Sequence, residues 1–233
     1  IDTPVINDNQ SLVKLERWSI CGTDIRSVYG HEFAEDKYPL GIGDPCHELA
    51  GTIVDTKDKN LKTGDRAILF PTIDGYGGLV EYLSLPSSNI VKLPSHGDLT
   101  EWVPCQPAAT AMYACKSVGS WIGKTVAIIG QGGIGLSFTA MISKLGAARI
   151  IACDNLSYRL KYAKQFGATD CVNASEIALD EGVRELTNGV MVDVVVDAAG
   201  YSESFQIAPK LLRREGLFVL FGIHHDTDST NKI

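Results

Sequence analysis

The chain has 233 residues, 45% of them hydrophobic and 21% charged, which is too apolar for disorder and enough for one large core or two modest ones. Its net charge of -7 leaves no basic surplus with which to displace counterions from nucleic acid or an anionic membrane, so any anionic ligand must be held by local groups. There is no run of ~18 apolar residues of the kind a membrane helix needs, IDTPVINDNQ lacks the basic and apolar regions of a secretion signal, and the cysteines at 21, 46, 105, 115, 153 and 171 form no CxxC pair, so a soluble protein of a reducing, cytoplasmic compartment is expected.

Residues 1 to about 100 carry short β-rich runs separated by Gly/Pro turns: SLVKLERWSI, ELAGTIVDT, GDRAILFP, GGLVEYLSLP and NIVKLP. Between the first two runs, ICGTD sets Cys21, Thr23 and Asp24 in what reads as one tight turn. A lone cysteine after an apolar strand is usually a small core residue, so this turn gains meaning only from the rest of the chain. The segment 101–120, EWVPCQPAATAMYACKSVGS, starts as loop and becomes a helix joining the two halves.

From Trp121 the rhythm becomes strand, turn, helix, strand, and repeats. TVAIIG precedes a helix whose Ile134, Phe138, Met141, Ile142 and Leu145 share a face and which Gly146 closes. ARIIACD, the helix SYRLKYAKQF, a short strand at Cys171 and Val172, the helix LDEGVRELT, VDVVVDAAG, the helix SFQIAPKLL and GLFVLFGI follow. Apolar runs without alternation suit parallel strands buried on both faces, and five of them predict a doubly wound sheet.

GQGGIG spaces Gly130, Gly132 and Gly135 as GxGxxG between the first of these strands and its helix. The first glycine allows the tight turn, the second a close approach of pyrophosphate and the third helix packing; Gly133 and Ile134 complete the loop, whose helix N-terminus offers N–H groups and positive dipole. Asp154 ends the second strand 19 residues after Gly135, where a carboxylate accepts hydrogen bonds from an adenosine ribose and repels a ribose phosphate. Cys153 and Asn155 beside it supply no cation and Arg159 is the only nearby arginine, so NAD is expected over NADP, with Arg159 a further cofactor residue. The plainer reading of Asp154 is a cap on the following helix.

With a nicotinamide cofactor expected, DPCHELAGTIV adds His47 and Glu48, 26 and 27 residues after Cys21. Thiolate, imidazole and carboxylate are zinc ligands. The ordered set ICGTD, HELAG, GDRA, GGLVEYLSLP, QPAATAMYA and GQGGIG resembles the zinc-containing medium-chain alcohol and polyol dehydrogenases over nearly the whole chain.

That resemblance implies an α/β protein: a mostly-β GroES-like catalytic domain, residues 1–115, followed by a doubly wound Rossmann domain, residues 116–233. It puts Cys21 and His47 on zinc ligands, Glu48 on a carboxylate that coordinates or approaches the metal, Thr23 on a proton-relay hydroxyl, Asp24 on a supporting carboxylate and Thr110 against the nicotinamide. For the remaining ligand, thiolate chemistry favours Cys105, whereas the family register favours Gln106, which we expect. The implied reaction is NAD-dependent, zinc-assisted hydride transfer from a secondary alcohol, polyol or sugar, by a homo-oligomer in the full-length form. The alternatives are a zinc-free quinone or enoyl reductase of the same superfamily and a catalytically inactive dinucleotide-binding protein.

Several residues depart from the family pattern. Cys46 stands where a glycine usually precedes the His-Glu pair, adding a side chain beside the expected metal, and Arg26 stands where many members end the relay with histidine. The four-cysteine lobe of a structural zinc is missing, and the family's last strand and returning tail have no counterpart, so the chain reads as truncated. His31–Glu32 is expected in a polar loop, His96 in a solvated turn, and His224 and His225 at the end of the fifth strand.

Overall fold

The computed structural model describes residues 2–29, 35–71 and 77–223. They separate into two compact units, Ile1–Pro107 and Ala108–Ile233. Most of the joining helix goes with the second unit, because its Ala111 and Cys115 are buried in that unit's core beside Trp121.

The first unit is built on an antiparallel sheet of β1 (Gln10–Ser19), β2 (Glu48–Thr56), β3 (Arg66–Leu69), β4 (Tyr82–Pro86) and β5 (Ile90–Lys92), in the order β4-β1-β2-β3-β5. Both faces are covered. Leu49, Ile53 and Leu69 point into one apolar cluster, while the intervening Ala50 and Ile68 point into another with Leu99 and Val103. This is the period-2 alternation of a strand, used here to feed two cores. Helices α1 (Gly22–Tyr29) and α2 (Leu99–Trp102) flank the sheet in sequence, α2 starting from an Asp98 and Glu101 capping box.

The second unit opens with α3 (Cys105–Val118), whose first turn lies in the first unit. It alternates β6 (Thr125–Ile129), α4 (Gly133–Lys144), β7 (Arg149–Asp154), α5 (Ser157–Gln165), β8 (Asp170–Asn173), α6 (Leu179–Leu186), β9 (Val192–Asp197), α7 (Ser202–Leu211) and β10 (Leu212–Leu220). All strand pairs are parallel, in the order β10-β9-β6-β7-β8. The chain leaves β8 at one edge and resumes beyond β6, so the order reverses between β6 and β9, the place where such sheets take ligands. Val126 and Ile128 enter one core cluster and Ala127 and Ile129 the other, which explains the lack of polar alternation.

Two local expectations change. The last strand begins at Leu212 rather than at Gly216, because Leu212 pairs with Val192 directly after α7; a bulge, with Glu215 at φ +61°, then restores pairing at Leu217 and Val194. ICGTD, expected as one tight turn, is the entrance to α1. No helix among the described residues is long and apolar enough to cross a membrane.

Candidate functional site

The candidate metal ligands lie in the first unit, Cys21 where β1 gives way to α1 and His47 and Glu48 where β2 begins. The Cys21 carbonyl accepts the N–H groups of Asp24 (3.1 Å) and Ile25 (3.3 Å), which starts the helix. Asp24 reaches back: its Oδ2 accepts the Cys21 N–H at 2.8 Å, satisfying a donor at the helix entrance. Its Oδ1 accepts a hydrogen bond from His47 Nδ1 at 3.0 Å. One buried carboxylate therefore fixes the backbone of one donor and the ring of another.

Glu48 is buried as the first residue of β2. The ligand atoms of Cys21, His47 and Glu48 lie within 4.8 Å of one another, and this is the group of His, Cys, Asp or Glu side chains among the described residues that could hold a metal. The Asp24 bond, reinforced by one to Cys21, raises the His47 pKa to about 10, against the opposing effect of burial. In turn, the His47 bond and those from Thr23 hold the Cys21 thiol below its ordinary pKa.

The donor chemistry fits zinc. Sulfur, nitrogen and oxygen ligands converge, and a carboxylate holds His47 Nδ1 so that Nε2 is the nitrogen presented to a metal. Cys46 is not part of the group: its thiol is buried with Val13, Leu15 and Leu49, donates to the Ser19 carbonyl at 3.6 Å, and is pushed up to about 11 by burial. Its side chain therefore fills core instead of crowding the donors. Cys105 is exposed and outside the group, while Gln106 is half-buried in the first turn of α3 with its N–H on the Val103 carbonyl.

The second unit carries a cleft of about 790 Å³ at the strand-order reversal, lined by Gly130, Gly132, Asp154, Arg159, Ala199 and Lys210 among others. Gly130 has φ +87°, and a Cβ there would meet Ala199 at 3.0 Å. Gly135 lies so close to the turn that a Cβ would fall 1.8 Å from the Gly130 carbonyl oxygen. The N–H groups of Gly133 and Ile134 open α4, while the Ile134 side chain packs on the core.

Asp154 combines two roles. Oδ1 accepts the Leu156 N–H at 2.9 Å, at the cap of α5, and Oδ2 accepts the Gln131 N–H at 2.7 Å, with Arg159 Nη1 at 3.6 Å. Each oxygen has a second lone pair, so the carboxylate that braces the glycine turn retains capacity for a ribose hydroxyl.

Thr110 lines a different groove, between α3 and β10, with Tyr113, Leu217 and Phe218. His96 packs edge-on against Trp102. His31, Glu32, His224 and His225 lie outside the described residues. Sequence reasoning missed Asp197, fully buried at the end of β9, whose Oδ1 accepts the Ala199 and Gly200 N–H groups and whose Oδ2 accepts the Ser204 hydroxyl. It shapes the turn opposite the glycine loop, and the only trace in the sequence is an acid closing the apolar stretch Val194–Val196.

The geometry agrees with what the chain is similar to. A family profile described as an alcohol dehydrogenase GroES-like domain matches residues 7–95, and one described as a zinc-binding dehydrogenase matches residues 133–232. An uncharacterized zinc-type alcohol dehydrogenase-like protein of Escherichia coli is 30% identical over 95% of this chain and 72% of its own length. Sorbitol dehydrogenase of Bombyx mori is 29% identical over 97% of this chain and 74% of its own. The crystal structure of an Escherichia coli oxidoreductase of unknown specificity superposes with a TM-score of 0.85 at 29% identity, covering 96% of this chain and 73% of that one. The chain thus belongs to the zinc-containing medium-chain alcohol and polyol dehydrogenase family, whose members are zinc- and nicotinamide-dependent oxidoreductases.

Proposed function

We propose that this protein oxidises a secondary alcohol, of the polyol or sugar class, with NAD. The observation that carries the reading is the Asp24 carboxylate bonded at once to Cys21 and His47, which holds a thiol and an imidazole in the relation a metal requires. Cys21, His47 and Glu48 would hold zinc, with Gln106 as the further ligand from α3. Gly130 to Gly135 and Asp154 would bind NAD, with Arg159 beside the ribose and Thr110 against the nicotinamide. When bound, zinc would supply a Lewis acid for the alcohol oxygen and the nicotinamide a hydride acceptor.

The remaining work falls to the protein's own atoms. Asp24 keeps the His47 proton on Nδ1, so the ring does not compete for the substrate proton. Thr23 Oγ1 accepts that proton and passes on its own, a shuttle open to a hydroxyl because it both donates and accepts. Arg26 cannot accept a proton, so the path ends in solvent or at another group. The acidic net charge supports a small uncharged alcohol in place of nucleic acid, and we take the enzyme to act in the cytoplasm as a homo-oligomer.

Elemental analysis and turnover test this. Purified protein should carry about one zinc per chain, and Thr23→Val should keep the metal while losing about 10²- to 10⁴-fold in turnover, the scale of one acid–base group. Protein that stays metal-free after zinc supplementation would sink the proposal; unchanged turnover in the variant would remove Thr23 from the proton path.

A further inference from the structure

Gly78 stands at a junction that the donor set does not explain. Its N–H donates to the Cys46 carbonyl at 3.1 Å, and its carbonyl accepts the Trp18 indole N–H at 2.7 Å. Cys46 immediately precedes His47 and Glu48, while Trp18 lies near the end of β1, three residues before Cys21. One glycine therefore bonds to both pieces of chain that supply the donors.

The Asp44 carboxylate closes the junction. Oδ1 accepts the Gly77 N–H at 2.7 Å, Oδ2 accepts the Gly41 N–H at 3.1 Å, and the Leu79 N–H donates to the Gly43 carbonyl at 2.9 Å. A Cβ on Gly78 would come 2.3 Å from the Cys46 oxygen and 2.7 Å from a Leu49 methyl, so only glycine permits the approach.

We propose that Asp44 and Trp18 are positioning residues for the metal centre: through Gly77 and Gly78 they set the spacing of Cys21 against His47 and Glu48. The inference rests on the zinc reading of those donors. A junction that merely closed the loop before His47 would change the melting temperature when broken. One that sets ligand spacing also changes metal affinity and ligand geometry, since partners outside the ligand set are typically worth about 10- to 100-fold in affinity.

Three variants test it. Trp18→Phe keeps an aromatic ring and removes the N–H donor; Asp44→Ala removes both acceptors; Asp44→Asn keeps one acceptor oxygen. Zinc affinity is read by competition with a chromophoric chelator, and ligand geometry by the visible spectrum of the cobalt-substituted protein. Trp18→Phe and Asp44→Ala should each bind zinc about tenfold or more weakly and shift the cobalt bands, with Asp44→Asn intermediate. Wild-type affinity and spectrum in Trp18→Phe would overturn the proposal, whether or not Asp44→Ala folds. Failure of the wild type itself to take up zinc would overturn the zinc reading and this inference with it, whereas zinc-loaded wild type and indifferent variants would overturn this inference alone.

Discussion

Asp24 governs the protonation of His47, and the sign of the effect can be worked out for the metal-free protein. His47 has its pKa raised to about 10 in the folded state, first by the Asp24 hydrogen bond. The folded chain therefore holds a proton that the unfolded chain releases near the ordinary histidine value of ~6.5. The stabilisation is fully present below that value and is lost as pH rises through about 10. Denaturant midpoints of metal-stripped protein should fall over this window in the wild type and stay flatter in Asp24→Asn; parallel curves would refute the pairing. Cys21, His47 and Glu48 were legible in the sequence because few side chains ligate zinc and their order is restrictive. Asp197 was not, because its partners are backbone N–H groups that only the folded β9–α7 turn brings to it.

At the level of elements, the glycine turn and α4 separate two functions that the motif GxGxxG merges. Gly132 has nothing within 4 Å of a built Cβ and an ordinary negative φ, so Gly132→Ala should fold normally and lose only affinity, because the methyl stands where pyrophosphate approaches. Gly135→Ala meets the Gly130 carbonyl at 1.8 Å and must displace backbone, so it should lose about 1–3 kcal/mol of stability as well. Thermal melts and NADH fluorescence titrations of the two variants check this; equal melting temperatures would be the wrong outcome. The strands of this unit were readable from unbroken apolar runs such as VAII in β6. The early start of β10 was not, since pairing of Leu212 with Val192 depends on where α7 releases the chain and on the bulge that follows. That the tight turn read at ICGTD opens a helix was hidden for a similar reason: the bond from the Cys21 N–H to Asp24 at the start of α1 is a side-chain contact without hydrophobic periodicity.

For the molecule as a whole, a net charge of -7 must be reconciled with an anionic dinucleotide. Helix N–H groups and dipole, oriented at the start of α4, can hold pyrophosphate without a basic surface. NADH affinity should accordingly change by less than about threefold between ~0.02 and ~0.3 M salt, because short-range contacts to fixed dipoles are screened little. Calorimetric titration at the two salt concentrations measures this, and a tenfold loss would shift the weight to Arg159 and Lys210, the cations of the cleft. The two-unit organisation was legible from the change of rhythm at Trp121, whereas the placement of α3 depends on Ala111 and Cys115 finding the second core.

The brace formed by Asp154 bears on how coenzyme choice can evolve. The acid proposed to discriminate against a ribose phosphate also anchors Gln131 and the cap of α5. A lineage exchanging it for a neutral residue would loosen the glycine turn in the same step, so a route to the phosphorylated coenzyme passes through a poorer binder of both. Retooling by design has an easier path if a new cation is first recruited at Asn155, which is exposed beside it, before the acid is given up.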